Sequence, residues 1–339
     1  MTLTPPPPPP PAPPSPRAAR VPGRVTPVVI DTDPGIDDAI AIALAVASPE
    51  LDIRAVTSVG GNTGLANTTE NALRLLHLFG RDDVPVAAGA DVPLVRRDSA
   101  ADTRTHGDDG LGGVHLPPAV RTADPRGAVA LLLETLQRSS EPLTVIALGP
   151  LTNITALLAA HPAAAERIER IVVMGGGARD LGNMTPTAEF NIWFDPEAAA
   201  RVFAAGLPLT MVGLDVTHLA RTRAGDWALL RASGGPIARA LLPMIDFYAA
   251  YHLEVDATDA TAQHDALAVA VVIDPGLVTT QRLHVDVECV GPLTRGMTVV
   301  DIDRRGGGQP ATDVALEVDS DAFNRLLVTR VAELDSRSA

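Results

Sequence analysis

From residue 26 onward, short apolar runs alternate with longer stretches whose apolar residues recur three and four apart, joined by polar connections. Runs at 28–30, 53–58, 84–88, 143–148, 168–174 and 209–214 read as buried strands. Helical periods at 37–47, 65–79, 126–138 and 196–205 lie between them, and GPLTN at 149–153 opens one more. That order is the pattern of βαβ units. The last third mixes helices at 236–253 and 264–272 with strands at 278–290, 297–301 and 314–318, before a final helix at 322–334. The predicted fold is α/β: an open, mostly parallel, Rossmann-like sheet flanked by helices, with extra C-terminal helices and strands. Residues 1–24 stand apart. Their unbroken run Pro5 to Pro11 predicts an extended, disordered proline-rich tail, leaving one domain over 25–339.

Open α/β sheets bind ligands outside the carboxyl ends of their strands. The unusual polar residues of this chain fall there: DTDPGIDDA after the first strand, Asn62 after the second, GPLTN after Leu148, and the loop Gly175 to Asn191. A long polar connection, 91–118, carries THGDDGLGG, and loops of that length are functional lids or binding loops.

The first motif gathers Asp31, Asp33, Asp37 and Asp38 into one strand-to-helix turn sharpened by Pro34 and Gly35. So much like charge needs a cation or protonation to hold it together. Carboxylates suit Ca²⁺ or Mg²⁺, and no Cys or His cluster stands beside them. A structural reading also exists: Asp37 and Asp38 complement a helix dipole and Asp31 ends a strand. It accounts for only part of the set. A calcium EF-hand is excluded, because its sixth and twelfth positions fall on Ile36 and Ile42.

Further along, His264-Asp265 opens the apolar segment HDALAVAVVI. The pair is either an N-terminal cap or a further carboxylate beside a histidine that works as acid or donor. Glu189 and Asn191, around Phe190, suit sugar hydroxyls or simply solvate a loop. Gly175–Gly177 precedes no Lys-Ser/Thr, so close backbone packing explains it better than phosphate binding. His106 reads as a surface histidine or a lid residue. Tyr248, Tyr251 and His252, on one helical stretch, read as packing residues before ligand contacts.

The 339 residues are 46% hydrophobic and 20% charged, enough for a sizeable core. A net charge of −14 argues against nucleic acid or an anionic membrane as partner. Cys289, the single cysteine, sits in a strand-like run and is expected to be a buried small hydrophobe. One cysteine forms no intrachain disulfide, which fits a cytoplasmic location. Neither a secretory signal pattern nor a bilayer-spanning stretch is evident.

Taken together, DTDPGIDDA, VGGN, ALGPLTN, VVMGGG, GN…AEFN, HDALAVA and RGMTVVD, in this order, resemble the inosine–uridine-preferring nucleoside hydrolases, a family of Ca²⁺-dependent N-ribohydrolases. The likeness runs from Thr26 to the C-terminal helix. It implies a Ca²⁺ held by Asp33, Asp38, the Leu148 carbonyl and Asp265. It also implies that Asp37, Asn62, Asn191 and Asp265 grip the ribose 2′- and 3′-hydroxyls, Asn183 and Glu189 the 5′-hydroxyl, with Met174 lining the sugar. One extra residue separates the triple glycine from Asn183 here. Asp33 would be the base that takes a proton from water and His264 the donor to the leaving base. The presence of His264 implies the inosine–uridine or pyrimidine-preferring subgroup, and lid loops near His106 and Tyr248 would decide which base is preferred. A homodimer or homotetramer acting on small nucleosides is the implied assembly. Two other classes compete: a metal-dependent phosphohydrolase, which lacks a phosphate-gripping Lys or Arg in these motifs, and a non-catalytic nucleoside- or ribose-binding protein. A hydrolase of another ribosylated compound is a nearer competitor.

Overall fold

The computed structural model describes residues 23–96, 103–255 and 257–338. The predicted proline tail, apart from Gly23 and Arg24, and residues 97–102 of the long connection lie outside the described residues. The strands, in chain order, are β1 Thr26–Thr32, β2 Leu51–Ser58, β3 Val86–Ala88, β4 Leu143–Ala147, β5 Ile168–Met174, β6 Leu209–Val212, β7 Arg221–Arg223, β8 Ala260–Ala262, β9 Val278–Leu283, β10 Val285–Val287, β11 Thr298–Val300 and β12 Thr312–Val318. Eight of them form one sheet in the order β3-β2-β1-β4-β5-β6-β12-β9. Every pairing is parallel except β12 with β9. The order reverses at β1, whose two neighbours are β2 and β4. That reversal opens a crevice at the carboxyl ends of β1 and β4, the switch point at which such sheets bind ligands.

Period-two alternation along β1 assigns its side chains to two layers. Val28 and Ile30 pack under the helices Ile36–Ala47, His264–Ile273 and Ser320–Ser338. Val29 joins Val145 and Val173 under the helices Ala128–Arg138, Thr152–Ala160 and Pro196–Phe203. The helix Ile36–Ala47 is apolar around nearly its whole circumference, because sheet and C-terminal helices enclose it.

One predicted strand, 278–290, is broken. β9 pairs antiparallel with β12 in the main sheet, while β10 leaves it after His284 to form a two-stranded ladder with β11. Cys289 lies beyond that ladder, half-buried rather than buried, with Sγ 3.5 Å from the Pro196 carbonyl oxygen. The helix Pro236–Val255 runs through Pro243 as a single element. Among the described residues no helix is long and apolar enough to cross a membrane.

Candidate active site

The acidic turn divides along the same alternation. Asp31 shares the face of Val29, away from the crevice, and its Oδ1 accepts hydrogen bonds from Thr57 Oγ1 and from Asn153 Nδ2, the latter at 2.8 Å. Asn153 also donates to the Ser58 carbonyl (3.0 Å) and accepts from the Ala90 amide (2.8 Å). Asp31 is therefore a structural carboxylate, in line with its reading as a strand-end residue. Burial still lifts its pKa to about 6.

The other three face the crevice. Gly35 precedes the first turn of the helix Ile36–Ala47, and its amide donates to Asp38 Oδ2 at 2.9 Å, while Thr32 Oγ1 donates to Asp38 Oδ1. Asp33 Oδ2 accepts the Asn62 amide at 2.7 Å, and Asn62 Nδ2 reaches Asp38 Oδ2 at 3.1 Å. A β-carbon at Gly61 or at Gly149 would collide with the Asp33 carboxylate, so VGGN and ALGP need glycine there. From the far end of the chain, the helix His264–Ile273 brings Asp265 in its first turn. Asp37, Asp38 and Asp265 each place a carboxylate oxygen within 4.8 Å of the others. Two helix N-termini thus point at one acidic cluster, and their dipoles offset part of its repulsion.

That offset is incomplete. Burial first, then mutual repulsion, pushes Asp33, Asp38 and Asp265 above the usual carboxylate range, and burial lifts Asp37 to about 6. Asp33 Oδ1 and Asp37 Oδ1 are buried with no hydrogen-bond partner among the described residues. Oxygen-only donors, buried like charge and orphaned lone pairs together fit a hard divalent cation. The Leu148 carbonyl, at the end of β4, joins them at the crevice and already accepts Asn191 Nδ2 at 2.7 Å.

These groups floor a cavity of about 480 Å³. Asp37, Asn62, His106, Leu148, Met174, Asn183, Glu189, Asn191, His264 and Asp265 all line it; Asp33 and Asp38 lie beneath. Glu189 caps the short helix Phe190–Phe194, and its carboxylate takes three backbone amides, from Gly176, Asn191 and Ile192. Burial nevertheless raises it to about 7. Asn183 Oδ1 accepts the Phe190 amide at 3.0 Å.

His106 is not on the surface. It is 6% exposed, its Nδ1 accepts the Ile36 amide at 3.1 Å, and its ring stacks on Tyr248 at 5.5 Å between centroids. An accepting Nδ1 places the proton on Nε2, which lies 3.9 Å from Asp37 Oδ1. Tyr248, Tyr251 and His252, expected to be packing residues, line the cavity. His264 Nδ1 lies 2.8 Å from Thr217 Oγ1, and burial holds its pKa well below the ordinary histidine value. Sequence reasoning missed Thr32, Thr217, His218 and Arg221. The apolar strand β6 leading into GLDVTH was the signal for two of them.

The family described as inosine-uridine preferring nucleoside hydrolase matches residues 28–325. The pyrimidine-specific ribonucleoside hydrolase RihA of Citrobacter koseri is 46% identical over 307 residues, covering 90% of this chain and 98% of that protein. Its counterpart in Escherichia coli is 45% identical over 306 residues, with the same coverage of 90% and 98%. Among solved structures, a purine-preferring ribonucleoside hydrolase from Gardnerella vaginalis superposes with TM-score 0.87 at 32% identity, covering 92% of this chain and 100% of that one. The plant nucleoside hydrolase PpNRh1 gives 0.86 at 35%, covering 91% and 99%. With an acid-floored crevice at the switch point and a sequence match across nearly the whole domain, the chain belongs to the inosine-uridine preferring nucleoside hydrolase family.

Proposed function

We propose that this protein hydrolyses the N-glycosidic bond of ribonucleosides, pyrimidine ribonucleosides foremost, to free base and ribose. The observation that carries the reading is the cavity floor, where carboxylates with orphaned oxygens lie beside amides suited to sugar hydroxyls. The pyrimidine preference rests on the RihA relatives.

Asp33, Asp38, Asp265 and the Leu148 carbonyl are the groups that would hold Ca²⁺. Bound there, the cation supplies positive charge that neutralises the cluster and makes a nearby water more acidic. Asp33 suits the role of base: one oxygen is pinned by the Asn62 amide and the other has no hydrogen-bond partner among the described residues. Asp37, Asn62, Asn191 and Asp265 orient the 2′- and 3′-hydroxyls, and Asn183 with Glu189 receives the 5′-hydroxyl, while Met174 lines the sugar. Departure of the base leaves an oxocarbenium-like ribosyl cation, which a carboxylate-rich floor stabilises. His264 has its Nδ1 beside Thr217 and lines the cavity, so its other ring nitrogen is the donor to the leaving base.

The test is ribose release from uridine, cytidine, inosine and adenosine, with and without a calcium chelator. Chelator-sensitive release, fastest from the pyrimidines, is expected. Ca²⁺ binding without release from any nucleoside would refute hydrolysis of these substrates and favour a binding protein or another riboside.

A further inference from the structure

A pyrimidine is a difficult leaving group. It lacks the imidazole nitrogen that a purine can protonate, so the electron pair of the C1′–N1 bond passes to N1 and spreads onto the adjacent exocyclic oxygen. The group that best meets this charge is a fixed cation with N–H donors in a water-poor site.

Arg221 is the single arginine or lysine among the described residues that line the cavity. Its backbone is held in the β7–β8 ladder opposite Ala262, two residues before His264, and its carbonyl accepts Asn324 Nδ2 at 2.7 Å. Its Nε donates to the His218 carbonyl at 2.6 Å. That bond fixes the plane of the guanidinium, while the two terminal nitrogens have no protein acceptor among the described residues. The neighbours on this side are His218, tied to Asp180, and His264, whose ring meets that of His218 edge-on at 5.6 Å. A guanidinium stays protonated throughout the working pH range and presents paired donors to an oxygen.

We propose that Arg221 is the catalytic residue that receives the negative charge of the departing pyrimidine, at the exocyclic oxygen beside the glycosidic nitrogen. The proposal rests on the hydrolase reading above and assigns the chemistry of its leaving-group side. The C1′–N1 bond breaks with its electron pair passing to the base, and water oxygen bonds to C1′ while its proton passes to Asp33. The base anion, held by Arg221, then takes a proton from solvent or from His264, which solvent reprotonates, and Asp33 gives up its proton to solvent, so that nucleoside and water give ribose and neutral base.

The test uses the full chain with Ca²⁺ and three substrates of falling demand on the leaving group: uridine, 5-fluorouridine and p-nitrophenyl β-D-riboside. Arg221→Gln is expected to lower kcat on uridine about 100-fold, with smaller losses on 5-fluorouridine and only a few-fold loss on the aryl riboside. Arg221→Lys, which keeps the charge, should recover part of the uridine rate. An unchanged KM for the aryl riboside would show that the ribose side is intact. Equal losses on all three substrates, or no loss on uridine, would overturn the role of Arg221. Wild-type protein inactive on all three would instead overturn the hydrolase reading, which separates the two failures.

Discussion

Replacing Asp37 by asparagine should stabilise the metal-free protein. Burial holds the Asp37 carboxyl at about 6 against 3.8 in an open chain, so the folded state binds its proton more tightly than the unfolded state does. A group shifted this way contributes stability that is present below the unfolded value and is lost as pH rises through the folded one. The full loss for Asp37 is about 3 kcal/mol, reached near pH 8. Roughly half of that is already lost at pH 5. Asparagine keeps the shape and an acceptor oxygen without the charge, and its amide faces the Asp38 and Asp265 carboxylates. In chelator, Asp37→Asn is therefore expected to gain about 3 kcal/mol at pH 8 and about half as much at pH 5. At about 2 °C per kcal/mol for a domain of this size, the gain in Tm is near 6 °C at pH 8. Calorimetric scans of both proteins at both pH values, with chelator and with Ca²⁺, measure it. Added Ca²⁺ should stabilise the wild type more at pH 8 than at pH 5. Equal or lower Tm for the variant at pH 8 in chelator would refute the idea that buried charge is the burden the cation relieves.

Asp33→Ala should lower kcat about 1000-fold or more and weaken Ca²⁺ binding, read by nucleoside assay and calorimetric titration; near-normal turnover would remove Asp33 as base. His264→Ala should cost about 100-fold on uridine but only a few-fold on p-nitrophenyl riboside, and equal losses would end its role as donor. Asn153→Ala removes two donors and one acceptor from buried groups, Asp31 among them. It should lower unfolding free energy by about 3 kcal/mol in urea melts, and a loss below about 1 kcal/mol would show that Asp31 finds another partner.

Regular elements with a strong period were legible in the sequence: β5 begins and ends where its apolar run does, and the helix His264–Ile273 lies within one residue of expectation. Elements made by distant pairing were not. β7 and β8 are three residues each and pair across 36 intervening residues, with no local signal in RTR or ATA. Glu189 was legible as a polar residue near a sugar site, yet its three amide bonds depend on the Gly175–Gly177 bend and on a five-residue helix. Asp31 and Asp33 look equivalent in DTDPG. Only the sheet, with Asn153 on one side and Asn62 on the other, separates a structural acid from one facing the crevice.

Asp38 and Asp265, drawn together at the heads of two helices, are more than two hundred residues apart in the chain. A cation bridging them would staple the first strand-turn to the last third of the domain, closing a loop that takes in most of the domain's length. Loop-closure entropy rises with length, so such a staple restrains the unfolded chain more than a local one would. During synthesis, the N-terminal acids emerge long before their partner. The growing polypeptide therefore passes through a stage in which most of its parallel sheet can form before the acidic cluster is complete, and the cluster is assembled only when the segment beginning at His264 docks.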